Sequence, residues 1–310
     1  MKREFCPTPE NAGERLDLYL AAQLSECSRA YLQKVIRSGR VTVNGAPGAP
    51  RTPVAAGAKI VVELPEVEAP AAPRPEDFAF PILYEDDCMV VINKPAGVVV
   101  HPAPGNPDGT VVNALLGRYP ELRSTELPDD ARPGIVHRLD KDTSGCLAAA
   151  RTPEAQSRLA AAFAERKTAK VYLALTSGIP KEARGRIENL IGRHPVNRQK
   201  MAIVRRNGKP AVSEYEVLRR GTLDKHPVAL IRVRIYTGRT HQIRVHLASL
   251  GCPVLGDALY GGARVIGAPR QMLHAWKLSI PHPASGEMIH CQAPVPEDFR
   301  ELGGAIDWQT

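Results

Sequence analysis

The apolar residues near the N-terminus recur at helical spacing. They predict a first helix over residues 15–24, with the apolar positions Leu16, Leu20 and Leu24. Ser28 suits the N-cap of a second helix over residues 29–38, and Gly39 is a residue type that commonly ends a helix. The chain is therefore predicted to begin with a pair of short helices.

Two short apolar runs follow this helix pair. Residues 41–43 and 59–63 predict strands, and the first of them closes on the turn dipeptide Asn44-Gly45. This helix pair and its short strands predict a small N-terminal module over residues 14–64.

Residues 65–77 interrupt the periodic pattern. They combine alanine and glutamate with four prolines, at Pro65, Pro70, Pro73 and Pro75. Such a composition resists packing and favours an extended, semi-rigid chain. At about 3.1 Å per residue the segment reaches roughly 40 Å. We therefore predict a spacer between two domains.

Residues 78–303 alternate between strand-like and helix-like runs. Strands are predicted at residues 89–93, 98–100, 170–176 and 228–236. One helix is predicted to be capped by Thr152 with Pro153 at its first position, and another to be capped by Thr240 and to end at Gly251. Strands grouped by hairpin signals, with helices inserted irregularly, favour an α+β fold over a doubly wound parallel sheet.

Positive charge is concentrated in the middle of the chain. Lysine and arginine number 41 against 33 aspartates and glutamates in 310 residues, a formal net charge of +8. Residues 132–244 hold 24 basic and 9 acidic side chains, a net +15, so the rest of the chain sums to −7. A basic face indicates a polyanionic partner, and with 5% aromatics and no basic amphipathic helix this partner is expected to be nucleic acid. The alternative is a merely solvated charged surface.

Several classes of protein are disfavoured by what the sequence lacks. The six cysteines form no Cys-x-x-Cys pair and do not cluster with the nine histidines at ligand spacing, so we expect no metal site. The first residues lack the apolar run of a signal peptide, and no segment approaches the roughly 20 apolar residues of a membrane helix. We expect a cytoplasmic protein with reduced thiols, no membrane association and no obligate protein partner. No Gly-rich phosphate loop is present, so nucleoside triphosphate chemistry is not expected.

One carboxylate stands out as a candidate for chemistry. Asp140 lies in a short polar segment before an apolar stretch, flanked by Arg138, Lys141 and Thr143. Neighbours of this kind stabilise the ionised form, which is the nucleophilic one. The alternative is a structural salt bridge between Asp140 and Arg138.

Two further groups could act with Asp140. Lys170 and Tyr172 are two residues apart on a predicted strand, so their side chains share one face; the alternative is that Tyr172 is an ordinary strand aromatic. Arg244 is placed near the N-terminus of a predicted helix, where the macrodipole disfavours cations, so it is expected to have an anionic partner. Our candidate for that partner is Asp140.

These segments together resemble the RNA pseudouridine synthases that act on ribosomal and transfer RNA. The resemblance spans roughly residues 78–300 and includes the segments at 93–97, 101–102, 137–145, 170–172, 238–244, 255–261 and 273–275. Residues 192–202 and 208–209 resemble the D-type branch, which modifies large-subunit ribosomal RNA. The N-terminal module resembles the alpha-L RNA-binding module, with the basic residues Arg29, Lys34, Arg37 and Arg40.

The resemblance implies a role for each candidate residue. Asp140 would attack the base or the anomeric carbon, or direct removal of a ribose proton, and Arg244 would orient it. Tyr172 would stack on the uracil or help to remove the proton from carbon five. Arg138 would fill the stack that an extruded uridine vacates, and Arg239 is a further RNA-binding candidate. No cofactor or metal is needed.

The implied partner is RNA, either large-subunit ribosomal RNA or an assembling large subunit. Two alternatives stay open. One is an RNA-binding assembly factor whose catalytic fold no longer turns over. The other is a nucleic-acid glycosidase, which needs an acid pair around the glycosidic bond, with Asp129 and Asp130 as possible carboxylates.

Overall fold

The computed structural model describes residues 2–24, 26–64, 73–77, 80–103, 105–123, 132–262 and 267–309. The chain divides into two compact units, residues 1–71 and 72–310. Across the described ranges, no helix has the length and apolar character needed to span a membrane. The predicted spacer falls mostly on residues 65–72, which lie outside the described residues.

The first unit packs two helices against a four-stranded sheet. The helices are α1 (Leu16–Gln23) and α2 (Arg29–Arg37). The strands are β1 (Lys2–Phe5), β2 (Val41–Val43), β3 (Ala46–Pro47) and β4 (Ile60–Glu63), in the order β1-β4-β2-β3. The hydroxyl of Ser28 accepts the backbone N–H of Tyr31 at 3.2 Å, which confirms the predicted cap. Strand β1, which precedes the predicted module, was not foreseen.

Apolar residues from both helices and the sheet form the core of this unit. The predicted periodic positions are fully buried, together with Leu32, Val41, Ile60 and Val62. Asn44 and Gly45 both have positive φ, 51° and 82°, the conformation that an Asn-Gly hairpin turn requires. The polar face of α2 stays in solvent, where Lys34, Arg37 and, just beyond the helix, Arg40 are exposed.

The second unit is built around one sheet of eleven strands with four helices in the described residues. The helices are α3 (Val111–Arg118), α4 (Pro153–Ala164), α5 (Gln242–Ser249) and α6 (Glu297–Gly304). The strands are β5 (Ile82–Glu85), β6 (Met89–Lys94), β7 (Ser144–Ala150), β8 (Ala169–Ser177), β9 (Arg184–Arg193), β10 (Met201–Ile203), β11 (Lys209–Leu223), β12 (His226–Ile235), β13 (Leu273–Pro281), β14 (Met288–Gln292) and β15 (Asp307–Trp308).

The sheet is mixed and mainly antiparallel. Its order is β10-β9-β11-β12-β8-β13-β7-β6-β5, with β14 paired to β13 and β15 paired to β11. Among the described strands, only β7 and β13 pair in parallel. This architecture confirms the predicted α+β class. Thr152 also caps α4 as predicted, since its hydroxyl accepts the N–H of Ala155 at 3.1 Å.

One predicted strand is wrong. Residues 98–100 form no ladder, although they are three consecutive valines. The carbonyls of Val99 and Val100 instead accept the first N–H groups of α3, from Val111 and Val112, at 3.0 and 3.1 Å. A tertiary contact with a helix N-terminus has therefore overridden the strand propensity of this run.

A close approach in the sheet fixes the end of the Asp140 segment. Gly145 has a φ of 113°, and a Cβ atom at this position would overlap the carbonyl group of Ala275 on β13. Glycine is therefore required for β7 and β13 to meet. Because every residue of β7 is buried, the polar segment that precedes it is mounted on a rigid strand.

Candidate active site

A cleft of about 380 Å³ opens beside the Asp140 segment. That volume lies within the roughly 300–1,000 Å³ range of ligand sites. Its walls come from residues 136–140, the C-terminal half of α4, the start of β8 and residues 235–244. Asp140, Tyr172, Arg244, Arg138 and Arg239 all line it. The structure therefore brings together all the predicted site residues of the second unit.

Asp140 sits in a turn whose backbone is bound on both sides. Its carbonyl accepts the N–H of Thr143 at 3.1 Å, and the carbonyl of Lys141 accepts both the N–H of Gly97 and the buried ammonium of Lys94, at 3.0 and 2.9 Å. The Asp140 side chain is 18% exposed, so its carboxylate is held in place yet reaches the cleft.

Arg244 is the ion-pair partner of Asp140. Its Nη1 donates to Oδ2 of Asp140 at 2.9 Å, so the predicted pair is present. No ion pair joins Asp140 to Arg138 within the described part of the chain, and the alternative of a salt bridge between them is wrong. The predicted cap of α5 is also wrong: the N-cap is His241, which adopts a left-handed conformation, and Thr240 precedes it.

A second carboxylate, Asp257, holds the other side of Arg244. It accepts Nε at 2.6 Å and Nη2 at 2.9 Å in a bidentate pair. Asp257 is 1% exposed and also accepts the backbone N–H groups of Leu259 and Tyr260. Burial opposes the charge of Arg244, but the two carboxylates outweigh it and raise the pKa of the guanidinium above its usual value. Only one of the two carboxylates is therefore open to a ligand.

Asp257 was not among the site residues predicted from the sequence. Its signal was its place in the segment of residues 255–261, which resembles a family motif. The position of Arg244 near a helix N-terminus called for an anionic partner, and Asp140 alone was predicted to be that partner. A guanidinium has five donors, however, and a buried one commonly requires more than one acceptor.

His241 and Tyr260 form a further pair that was not predicted. The phenol oxygen of Tyr260 accepts the N–H of Met201 at 2.8 Å and lies within hydrogen-bond distance, 2.8 Å, of Nδ1 of His241. The other ring nitrogen of His241, Nε2, lies 4.0 Å from Oδ2 of Asp140. Burial lowers the pKa of His241. A neutral imidazole therefore stands beside the carboxylate.

Tyr172 and Lys170 lie on the face of β8 that borders the cleft. Tyr172 is 7% exposed; burial and the charge of Asp140 both raise the pKa of its phenol above the ordinary value. Lys170 is 8% exposed, and burial followed by the proximity of Arg239 lowers its pKa to about 8. Both side chains are thus positioned within reach of a ligand that contacts Asp140.

The RNA-binding candidates fall in both units. Arg138 is exposed at the cleft, and Arg239 is half-buried there with its Nε donating to the carbonyl of Pro210 at 3.0 Å. In the first unit, Arg29 donates to the buried carboxylate of Asp17 at 3.0 Å, so part of its role is structural. The remaining basic candidates of that unit are exposed.

The groups able to hold a metal are few in the described part of the molecule. At the cleft, Asp140 is bound by Arg244, and Nε2 of His137 accepts the N–H of Ala148 at 2.9 Å. Elsewhere, Asp86, Cys88 and His282 offer ligand atoms within 4.8 Å of one another. The carboxylate of Asp86 accepts hydrogen bonds from His282, Tyr84 and two backbone N–H groups, so these donors already use its lone pairs.

The chain matches two family models and several known proteins. Residues 88–249 match the family model for RNA pseudouridylate synthase, and residues 14–60 match the S4 domain. "Ribosomal large subunit pseudouridine synthase D" of Neisseria meningitidis serogroup A is 44% identical over 306 residues, covering 94% of this chain and 79% of the relative. The protein of that name in Pseudomonas aeruginosa is 44% identical over 303 residues, covering 94% and 91%.

A solved structure gives the same result. Human RNA Pseudouridylate Synthase Domain Containing 1 superimposes with a TM-score of 0.61 and 31% identity, over 76% of this chain and 91% of the human one. Together with the sequence relatives, it shows that this chain belongs to the RNA pseudouridine synthase family and is an RNA-isomerising enzyme with an S4 RNA-binding domain.

Proposed function

We propose that the enzyme converts specific uridines of large-subunit ribosomal RNA to pseudouridine, with Asp140 as the essential carboxylate. The observation that supports this most directly is the state of Asp140: one oxygen is held by Arg244, and the side chain opens into a cleft whose other charged lining residues, among those described, are cations. The names of the bacterial relatives support the choice of RNA.

The reaction asks little of the protein beyond a nucleophile and a shaped cleft. The bond from ribose C1′ to uracil N1 breaks, a bond from C1′ to C5 forms, and N1 carries the hydrogen that C5 loses. No electrons are gained or lost. A carboxylate held ionised by a guanidinium can attack the base or the anomeric carbon, or direct removal of a ribose proton, while the cleft retains the detached uracil.

We further propose that the target uridine is flipped out of its RNA stack. A stacked base cannot reach a carboxylate that is only 18% exposed inside a cleft. Extrusion costs a few kcal/mol of unstacking. The exposed guanidinium of Arg138 at the cleft is planar and can occupy the vacated position. Tyr172 then stacks on the uracil or takes part in proton removal at C5.

The proposal extends to the rest of the molecule. Residues 14–64 would bind RNA away from the chemistry through Lys34, Arg37 and Arg40, residues 65–77 would act as the spacer, and residues 78–303 would carry catalysis. All six cysteines are unpaired thiols in the structure, which supports a cytoplasmic location.

The test is a nucleoside analysis of large-subunit ribosomal RNA after incubation with the purified enzyme. We expect uridine to be converted to pseudouridine without release of uracil, and site mapping in cells with and without the gene should find the same positions. Release of free uracil would identify a glycosidase. Asp129 and Asp130, the possible carboxylates of a glycosidase, lie outside the described residues. Binding with no conversion would identify an assembly factor.

A further inference from the structure

The cleft contains a buried lysine whose charge has no partner within the described part of the enzyme. Lys170 is 8% exposed and lines the cleft, yet no described residue accepts a hydrogen bond from its Nζ or forms an ion pair with it. The ammonium lies 5.5 Å from the centroid of the Phe163 ring. Burying an unpaired charge is costly. A mostly buried ammonium that faces the cleft without a carboxylate partner is available to a counter-ion that arrives with the ligand.

The surroundings of Lys170 carry a surplus of positive charge. Guanidinium groups line the same cleft from three different segments, at Arg138, Arg166 and Arg239. The carboxylate among the described lining residues is that of Asp140, and Arg244 already binds it. Burial lowers the pKa of the nearby His137 to about 3, so that ring is neutral. Among the described residues that line this part of the cleft, none offers Lys170 a negative charge.

We propose that Lys170, assisted by Arg239, binds a backbone phosphate of the nucleotide whose uracil enters the cleft. Lys170 and Tyr172 share a strand face, about 7 Å apart along β8. A nucleotide spans such a distance, so a uracil that contacts Tyr172 brings its own phosphate near Nζ. A lysine binds phosphate as a compact charge. The inference rests on the proposed function only in assigning this phosphate to the target uridine.

A purely structural role for Lys170 makes a different prediction. The aliphatic stem and ammonium could serve only to pack against Phe163. Lys170→Met keeps most of the stem and removes the charge, and Lys170→Arg keeps the charge. The exposed Lys181, outside the cleft, provides the matched control Lys181→Met.

The test is calorimetric binding of three small probes to the full-length enzyme: uridine 3′,5′-bisphosphate, uridine and inorganic phosphate. We expect Lys170→Met to bind the bisphosphate about tenfold more weakly, with uridine unaffected, and both Lys170→Arg and Lys181→Met to match the wild type. Equal losses for uridine and the bisphosphate, no loss at all, or a wild type that binds both alike would overturn the proposal. So would inorganic phosphate binding as tightly as the bisphosphate, because the site would then serve a free anion.

A pH series separates charge from packing. The phosphoryl group is already doubly ionised above pH 7, and guanidinium and carboxylate groups do not ordinarily titrate between pH 7 and 9. The pKa of Tyr172 is raised out of this window, and that of His137 lies far below it. Wild-type affinity for the bisphosphate should fall as pH rises past about 8, the pKa of Lys170. Affinity of Lys170→Arg should stay level.

These measurements need no turnover. If ribosomal RNA proved not to be the substrate, the phosphate contact would still be detected. If the contact proved absent, the proposal that the enzyme isomerises uridines of ribosomal RNA would still stand. A falling affinity with pH in Lys170→Arg as well would assign the titration to another group and overturn the role of Lys170.

Discussion

Each of the two units contains an aspartate whose carboxylate accepts hydrogen bonds from arginine. The two aspartates differ in how far these hydrogen bonds occupy the carboxylate oxygens. In the first unit Asp17 is fully buried and accepts from Arg15, Arg29 and Gln33 at 2.5–3.0 Å. In the second, Asp140 accepts from Arg244 through one oxygen and remains 18% exposed. The first arrangement joins α1 to α2, and the second leaves a carboxylate oxygen for a ligand.

The difference shows how one kind of ion pair can either occupy a carboxylate completely or leave it open to a ligand. At Asp17 every donor binds the carboxylate itself. At Asp140 the strongest contacts of the arginine go instead to Asp257, which takes the bidentate pair. Asp257 thus holds Arg244 in place. Asp140, which faces the cleft, is oriented by Arg244 and keeps an oxygen available to a ligand.

The largest expected effect is that of Asp140→Asn on catalysis. We expect kcat on ribosomal RNA to fall at least about a thousandfold, a loss typical of essential nucleophiles. Stability should hardly change, because Asp257 still neutralises Arg244. Thermal unfolding and single-turnover kinetics would measure the two effects. Asp224→Asn, at an exposed carboxylate in a turn, is the control. Normal turnover by Asp140→Asn would remove the essential role.

Asp257→Asn should affect stability most. It removes the carboxylate that holds the buried guanidinium of Arg244, and breaking a buried pair costs about 3–5 kcal/mol. We expect a lower unfolding midpoint in denaturant and also a lower kcat, because Arg244 loses its fixed orientation. If stability were unchanged while kcat fell, Asp257 would belong to the chemistry and the division of roles drawn above would fail.

Tyr172→Phe tests whether the phenol hydroxyl takes part. Burial and the charge of Asp140 raise the pKa of the phenol, so it is neutral in the free enzyme. The electrostatic part of this effect would vanish if Asp140 formed a bond to the substrate, and the hydroxyl could then serve in proton transfer. We expect kcat to fall about a hundredfold with little change in KM. Tyr172→Leu, which also removes the ring, should raise KM. Full activity in Tyr172→Phe would leave stacking as the role.

Asp17→Asn should destabilise the first unit and leave catalysis intact. Burial would raise the pKa of Asp17, but hydrogen bonds from Arg15, Gln33 and Arg29 outweigh it and lower the pKa to about 2. The stabilisation is therefore present above the ordinary value of 3.8 and is lost as pH falls through about 2. The substitution should cost about 1.5–3 kcal/mol at neutral pH, as measured by unfolding, and remove that acid dependence. Glu10→Gln, at an exposed position, is the control.

The smallest expected effect is on RNA binding by the exposed face of α2. Replacing Lys34, Arg37 and Arg40 together by glutamine should weaken binding of ribosomal RNA about tenfold and flatten its salt dependence, since each phosphate contact releases counterions. Three exposed cations of the other unit, Lys181, Lys225 and Arg300, provide a charge-matched control. Equal losses in both variants would indicate a non-specific charge effect.

Several features of this site that depend on short-range sequence patterns were predicted correctly, and others that depend on tertiary contacts were not. The position of Arg244 near the start of α5 correctly predicted its pairing with Asp140. The two-residue period of β8 correctly placed Lys170 and Tyr172 on one face. The role of Asp257 was missed because it depends on a loop that returns to Arg244 in three dimensions. Residues 98–100 were misassigned for a similar reason: their carbonyls bind a helix N-terminus, which no local pattern reveals.

The parallel pairing of β7 with β13 affects how the protein must be made. Asp140 precedes Arg244 by 104 residues, and Ser144 bonds to His274 across 130. A ribosome synthesising this chain would release Asp140 long before the strand and guanidinium that hold it. The Asp140–Arg244 pair and the β7–β13 pairing beside it therefore cannot both form until β13 has emerged.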